Sequence, residues 1–418
     1  MILCDEFKEA KKLRVKAFTA GIMILSFMGC AVPPVKEPVR PKELPPLLKE
    51  EFPFPLVDDL DKASLHSAIE KSLAYLAKKK SAAHSALHSP DRLSPGTLAT
   101  FQTPGETFRS LVLLREILLH TSGERELGKK VREKFIFSEG PAEGPPKPIL
   151  LTGYFEPVFE GSLRPMGEYQ YPLYRPPDDL IKIEQKGGGK QMIRLEEGQA
   201  VSYYSRRQID TGGILQGRGL ELAWLKDPWE RFVLHVQGSG KIRLPSREIL
   251  SVGFAASNGR PYRSIGSYLV KHGFIAGKEL SLRLVKEFLQ QNPGRMEEIF
   301  NMNERYVFFL PVKSENGPRG ALGVSLTAGR SIATDHSFFP PGATAYLVSR
   351  EPKGDETGKI VGWKTLRRFV LNQDTGAGIK GPYRVDLFFG TGERAGLAAG
   401  EIREEGRIYL LRAREAGR

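Results

Sequence analysis

The stretch Gln373–Gly392, QDTGAGIKGPYRVDLFFGTG, sets two aspartates, Asp374 and Asp386, on either side of a glycine-rich turn. Its second half alternates with a period of two. Read as a strand, Tyr383, Val385, Leu387 and Phe389 share one face, and Arg384, Asp386 and Phe388 share the other. Asp386 is therefore expected on a rigid element, directed away from an apolar face. A general acid needs that: a fixed position and surroundings that tune its pKa. An aspartate beside a turn can equally serve only to bond the turn's backbone. This stretch alone leaves both roles open.

Outward from it, the chain has 418 residues, enough for two or three domains. Its 44 glycines and 30 prolines favour a turn-rich β fold over a helical bundle. The formal charge is +13, of which residues 1–29 hold +2 (Lys8, Lys11, Lys12, Arg14 and Lys16 against Asp5, Glu6 and Glu9), leaving +11 on the rest. A basic balance favours anionic partners such as nucleic acid, acidic lipid or a carboxylate-bearing wall polymer. The charge is spread along the chain, with no arginine-rich arm and no basic–aromatic interleaving, so nucleic acid is not expected as a partner.

Lys8 to Lys16 form a basic segment ahead of the apolar run Ala17–Gly29, AFTAGIMILSFMG, which is too short to span a bilayer comfortably. It ends in Phe27-Met28-Gly29-Cys30, which resembles a bacterial lipoprotein signal with Cys30 as the lipidated first residue. Ala31, in place of the aspartate associated with inner-membrane retention, points to an outer membrane lipoprotein facing the periplasm. Cys4 lies in the leader, so the mature chain has neither a disulfide framework nor a cysteine-based metal site. Eight prolines between 31 and 57 (Pro33, Pro34, Pro38, Pro41, Pro45, Pro46, Pro53 and Pro55) read residues 30–57 as an extended tether. Lipid, stalk and globular body is a layout for working beside a membrane that the chain does not cross.

In the body, Leu65, Ile69, Leu73 and Leu76 predict a helix over about 59–79, and Thr103-Pro104 opens a second through about His120. Short strands between Gly and Pro turns are expected from 149 to 260, including YYSRRQID, WERFVLHVQGSG and KIRLPS. Two helices follow, near Ser264–Lys271 and Lys278–Gln291. β pattern resumes at Tyr306–Pro311, Ala345–Val348, Val361–Val370 and Arg407–Arg412.

Rival motifs fail on inspection. His84 and His88 stand i, i+4 but lack the HExxH glutamate. Gly238-Ser239-Gly240-Lys241 lacks the Ser/Thr and spacing of a phosphate loop and reads as a β-turn. No G-x-S-x-G elbow supports a serine hydrolase. Arg206 and Arg207 are expected to be solvated. No metal site and no cofactor is expected.

Several segments, in one order, carry a resemblance: LTGYFEP (151–157), YQYPLYR (169–175), DTGGILQGRGLELAWL (210–225), VQGSG (236–240), SNGRPYRSIG (257–266), NMNERYVFF (301–309), TDHSFFPPGA (334–343) and DTGAGIKGPYRVDLFFGTG (374–392). Together they resemble the membrane-bound lytic murein transglycosylase A family, and the last two resemble its three-aspartate (3D) domain, with Asp335, Asp374 and Asp386 as the aspartates. One departure is Gly376-Ala377-Gly378, where the family has Gly-Gly-Ala.

The resemblance implies a mainly β fold with peripheral helices. A double-ψ β-barrel (58–157 plus 312–418) would carry an inserted smaller β-barrel domain (158–311), with a glycan strand held in the groove between them. It also implies cleavage of the β-1,4 bond between N-acetylmuramic acid and N-acetylglucosamine in peptidoglycan, with a 1,6-anhydro product. Asp386 would be the catalytic acid and base. Asp374, Asp335, Thr152, Tyr154, Gln237, Ser239 and Lys380 would be substrate-binding or structural. A non-catalytic peptidoglycan-binding lipoprotein, or a hydrolase that uses Asp374 to activate water, would fit the same scaffold.

Overall fold

The computed structural model describes residues 56–85, 102–140, 147–184, 190–277, 280–313, 317–356 and 358–415. The leader, Cys30 and nearly all of the proline-rich tether lie outside them, as does His88. Leu56 and Val57, read as the end of that tether, are instead docked: Leu56 is buried and the Val57 carbonyl accepts a 2.7 Å bond from the Tyr346 hydroxyl.

The described chain opens with helices α1 (Lys62–Ser85), α2 (Pro104–Leu119) and α3 (Glu124–Lys134), then strands β1 (Phe135–Glu139) and β2 (Ile149–Glu156). A middle section follows: β3 (Val158–Ser162), β4 (Tyr171–Tyr174), β5 (Ile181–Glu184), β6 (Lys190–Glu196), β7 (Gln199–Ser202), α4 (Arg206–Asp210), β8 (Glu221–Leu225), α5 (Pro228–Gln237), β9 (Ser239–Arg243), β10 (Ile249–Ser257), α6 (Ile265–Lys271), α7 (Leu282–Gln291), α8 (Met296–Asn301) and β11 (Val307–Pro311). The last section holds β12 (Ser331–Ala333), β13 (Thr344–Gly354), β14 (Ile360–Asp374), β15 (Arg384–Thr391), α9 (Glu393–Glu401) and β16 (Arg403–Ala413).

Six strands close on themselves in the order β2-β16-β13-β14-β12-β15, with β15 returning to β2. Two pairs, β12–β14 and β15–β2, are parallel. This is the double-ψ barrel, and β1 extends it by pairing with the end of β16. Its interior is filled by Ile149, Leu151, Ile332, Leu347, Val370, Val385, Leu387 and Leu410. Alternation along β15 does what the sequence predicts: Val385 and Leu387 face this core. A second core, with Leu65, Ile69, Leu111, Leu114, Tyr346 and Phe369, seats α1 and α2 on the outside of the barrel.

The strands interposed between β2 and β12 build a six-stranded sheet, β11-β10-β9-β3-β8-β4, and a three-stranded one, β5-β6-β7. The larger sheet curls until its end strands meet, with the Tyr174 and Tyr306 rings 6.5 Å apart. Both layers of the chain are thus β, as expected, with helices peripheral.

Two segments read as strands are helices. WERFVLHVQ forms α5, because the Asp227 carboxylate caps it by accepting from the Trp229 amide and Pro228 fits the first turn. Ser205 and Gln208 form a capping box that starts α4 within YYSRRQID. Gly238 is not in a β-turn. It ends α5 in the left-handed region, φ 79°, and lets the chain swing directly into β9. The last predicted helix starts late, at Leu282, where Ser281 caps it. Arg206 is not solvated: it is 1% exposed.

Candidate active site

Two strand partners flank Asp386. Across β12, Ala333 is opposite both Asp374 of β14 and Asp386 of β15, and on the other side Asp386 is opposite Thr152 of β2. A methyl is all that stands between the two aspartates along the sheet, so the pleat presents both carboxyls on one side. Both line a cavity of about 750 Å³ with Tyr154, Glu156 and Phe388 from the barrel, and His235, Gln237, Ser239, Phe254 and Arg305 from the interposed section. The cavity is therefore the groove between the two β bodies, a usual place for a ligand.

Asp386 has a side chain that is 16% exposed, and its Oδ1 is shut off from solvent with no hydrogen-bond donor. Burial pushes its pKa up to about 6; Arg384 opposes this and the Asp374 charge adds to it. The opposition from Arg384 is loose, its Nη2 standing 3.7 Å from Asp386 Oδ1. That same Nη2 donates to Thr152 Oγ1 at 3.3 Å, which turns the guanidinium along the groove. Burial therefore outweighs the cation.

Asp374 also has its pKa raised, chiefly by burial, although its Oδ1 accepts from the Ala321 and Thr375 amides at 2.8 and 2.9 Å. The Tyr154 hydroxyl is buried without a well-formed hydrogen bond, and burial together with the Asp374 charge holds its pKa well above the ordinary value. Its ring packs on Phe388 at 5.3 Å.

Asp335 stands apart from this cavity. Its carboxylate accepts from the Ser337 amide at 3.1 Å and the Gly381 amide at 2.9 Å, which ties the loop after β12 to the turn before β15. Burial pushes its pKa up, but these amides and Lys380 outweigh it and the net shift is downward. Gln237 accepts from the Phe155 amide at 3.1 Å, joining α5 to β2. Thr152 and Arg384 line an adjoining cavity of about 520 Å³ with Tyr262, and Gln237 and Lys380 border both. The Gly376-Ala377-Gly378 departure has a packing reason: a Cβ on Gly378 would lie 3.0 Å from the Tyr262 ring.

Sequence reasoning missed Glu156, Tyr262 and Arg305. Glu156, 1% exposed, accepts from Thr391 Oγ1 at 2.6 Å and has Lys241 Nζ at 3.7 Å. Its place at the end of a strand motif was the available signal.

Two family models match in tandem, the MltA specific insert domain over residues 150–310 and the 3D domain over residues 330–412. The class is thus a 3D-domain barrel interrupted by an MltA-type insert. The membrane-bound lytic murein transglycosylase A of Escherichia coli K12 is 30% identical over 266 residues, covering 63% of this chain and 66% of that relative. The protein of the same description from Vibrio cholerae is 31% identical over 266 residues, covering 63% and 65%. The crystal structure of the membrane-bound lytic murein transglycosylase from Agrobacterium tumefaciens superposes with a TM-score of 0.68 at 27% identity, covering 84% of this chain and 93% of that one. The chain belongs to the membrane-bound lytic murein transglycosylase A family. It spans just under two thirds of the length of the curated relatives it matches.

Proposed function

We propose that this protein is a lytic transglycosylase of the cell envelope. It cleaves the β-1,4 bond between N-acetylmuramic acid and N-acetylglucosamine in peptidoglycan and leaves 1,6-anhydro ends. The observation that carries this reading is Asp386: a carboxyl in the groove between the two β bodies, pushed up to about 6, with one oxygen facing no donor. Near pH 6 such a group is divided between acid and base, which suits a residue that must be both in turn.

In the proposed cycle Asp386 protonates the leaving O4 as the glycosidic bond breaks. The C6 hydroxyl of the same muramyl residue then attacks the anomeric carbon, and Asp386 takes its proton. No water is consumed. The nucleophile is tethered to the electrophile, so proximity replaces the second carboxyl of an ordinary glycosidase. Asp374 raises the pKa of Asp386 and is itself fixed by two amides, which suits a supporting group better than a base. Thr152 orients Arg384, while Tyr154, Gln237, Ser239 and Lys380 border the strand's path. Asp335 serves by holding the turn that leads into β15. The catalytic barrel would comprise 58–157 and 312–418, the insert 158–311, with a lipid at Cys30 placing the enzyme on the outer membrane facing the periplasm.

Digestion of purified peptidoglycan by residues 31–418, followed by mass spectrometry, tests the reaction. Muropeptides lighter by one water than their reducing-end counterparts are expected. Reducing ends would mean hydrolysis, and no soluble fragments would mean a binding protein; either sinks the proposal.

The position of Arg384 gives a further expected result. Arg384 lowers the pKa of Asp386, so Arg384→Met raises it. Because the first step uses the protonated acid, the alkaline limb of kcat/KM should begin near pH 6 in the wild type and move upward in the variant. An unmoved limb would mean that Asp386 is not the titrating acid.

A further inference from the structure

The fold pairs its buried guanidinium groups with carboxylates. Arg206 and Arg231 both meet Asp210, at 3.3 and 3.0 Å. Arg330 meets Asp58, and Arg368 meets Asp59 and Glu351, each at 2.6 Å. Arg305, less buried than these, differs from them. It lines the 750 Å³ cavity and is partly buried, yet its guanidinium makes no hydrogen bond or ion pair among the described residues. The neighbouring acid, Glu304, is turned to Arg260 and Arg263 instead, at 3.8 and 4.0 Å. Burial alone, with no carboxylate to offset it, holds the Arg305 pKa below the usual guanidinium value. A half-buried cation without a partner, open to a cavity, is free to meet an anion that a ligand brings.

The backbone at Arg305 is firmly held. The Arg305 carbonyl accepts a 2.7 Å bond from Arg206 Nη2, and Arg206 is itself locked by the Asn303 carbonyl and Asp210. Two residues on, Val307 begins β11 opposite Ser257. Phe254, 55% exposed, lines the same cavity from β10 and offers it an apolar face. An apolar ring and an unpaired guanidinium lining one cavity suit a sugar ring that carries a carboxylate.

We propose that Arg305 is a specificity-determining residue that binds a carboxylate of the muramyl unit, borne either on its lactyl ether or on the peptide stem attached there. The assignment rests on the reading of the groove as a peptidoglycan site. It explains how the groove would separate muramyl glycans from neutral polymers with the same β-1,4 backbone.

The test uses the Asp386→Asn background, so that strands bind without being cut, and calorimetric titration with three probes. These are peptide-free glycan strands with free lactyl carboxylates, the same strands with those carboxylates converted to methylamides, and strands with intact stems. Arg305→Met should weaken binding of a carboxylate-bearing strand by about 10- to 100-fold. It should leave the amidated strand within about twofold, and Arg305→Lys should recover part of the loss. A loss confined to the peptide-free strand places the contact at the lactyl group; a loss confined to intact strands places it on the stem. Equal loss on the amidated strand, or no loss on any strand, overturns the proposal. If Asp386→Asn alone binds none of the three, it is the peptidoglycan reading that fails. Thermal melting guards against a folding artefact, since removing an unpaired cation should not lower the midpoint.

Discussion

Asp386→Asn should slow glycan cleavage by about 10²- to 10⁴-fold, the usual consequence of losing a general acid, and should at the same time make the protein more stable at pH 8. The two effects have one origin. An unfolded aspartate ionises near 3.8, whereas the folded Asp386 does so near 6. Below the lower value both states are neutral and the burial of this carboxyl carries no charge penalty. As pH rises through about 6 the fold must hold an anion in apolar surroundings, and the favourable contribution present at low pH is lost. A shift of roughly two units corresponds to about 3 kcal/mol at most. Asparagine has the same shape and no charge, so the variant should melt higher than wild type at pH 8 and within about a degree of it at pH 3.5. Peptidoglycan turnover followed by product mass gives the first half, and calorimetric melts at the two pH values give the second. Near wild-type turnover would remove Asp386 from the mechanism.

Arg330→Met should cost about 3–5 kcal/mol of folding stability, the largest effect expected away from the groove. Arg330 is fully buried and donates to Asp58 Oδ2 at 2.6 Å, to the Phe369 and Asp61 carbonyls at 2.9 Å each, and to Ser64 Oγ at 3.0 Å. It thereby fastens the segment leading into α1 to β12 and β14. Removing it strands Asp58, only 6% exposed, without its cation, although the Leu60 and Phe369 amides still reach it. The loss comes from the orphaned charge more than from the contact, so Arg330→Met with Asp58→Asn should recover much of it. Urea denaturation of the two single variants and the double variant gives the coupling. Additive losses would show that the pair is not a unit. The same helix reaches the opening motif, since Gln373 donates to the Ala68 carbonyl at 2.7 Å and accepts from Ser331 Oγ at 2.6 Å. Gln373 is therefore the peg that sets Asp374, its neighbour, against the barrel.

What could be read from the chain follows the range of the forces involved. The alternation in β15 is local and was legible down to the face that carries Asp386. The Thr103-Pro104 start of α2 was legible for the same reason, and its capping box forms. WERFVLHVQ was misread because its apolar residues satisfy both periods, and the decisive signal, Asp227-Pro228, sits just outside the run. Arg206 looked like a surface residue because the carbonyl that buries it, Asn303 O, is 97 positions away. Arg305 was invisible for a different reason: what marks it is a missing partner, and absences leave no pattern in a sequence. The balance between burial and Arg384 at Asp386 likewise needed the 3.7 Å separation to be seen.

The closure of the barrel has a consequence in time. Asp386 sits opposite Thr152, and the Arg384–Thr152 contact spans 232 positions. The strand that seals the ring, β16, is the last element described. The insert's sheet, by contrast, pairs strands drawn from one continuous portion of the chain. Distant pairings are made late and slowly, because the loop they close must first be paid in entropy. The insert can thus be complete while the acid still lacks its neighbours. Because the groove needs both bodies, it and the acid that lines it would be completed together, only when the last strand closes the ring.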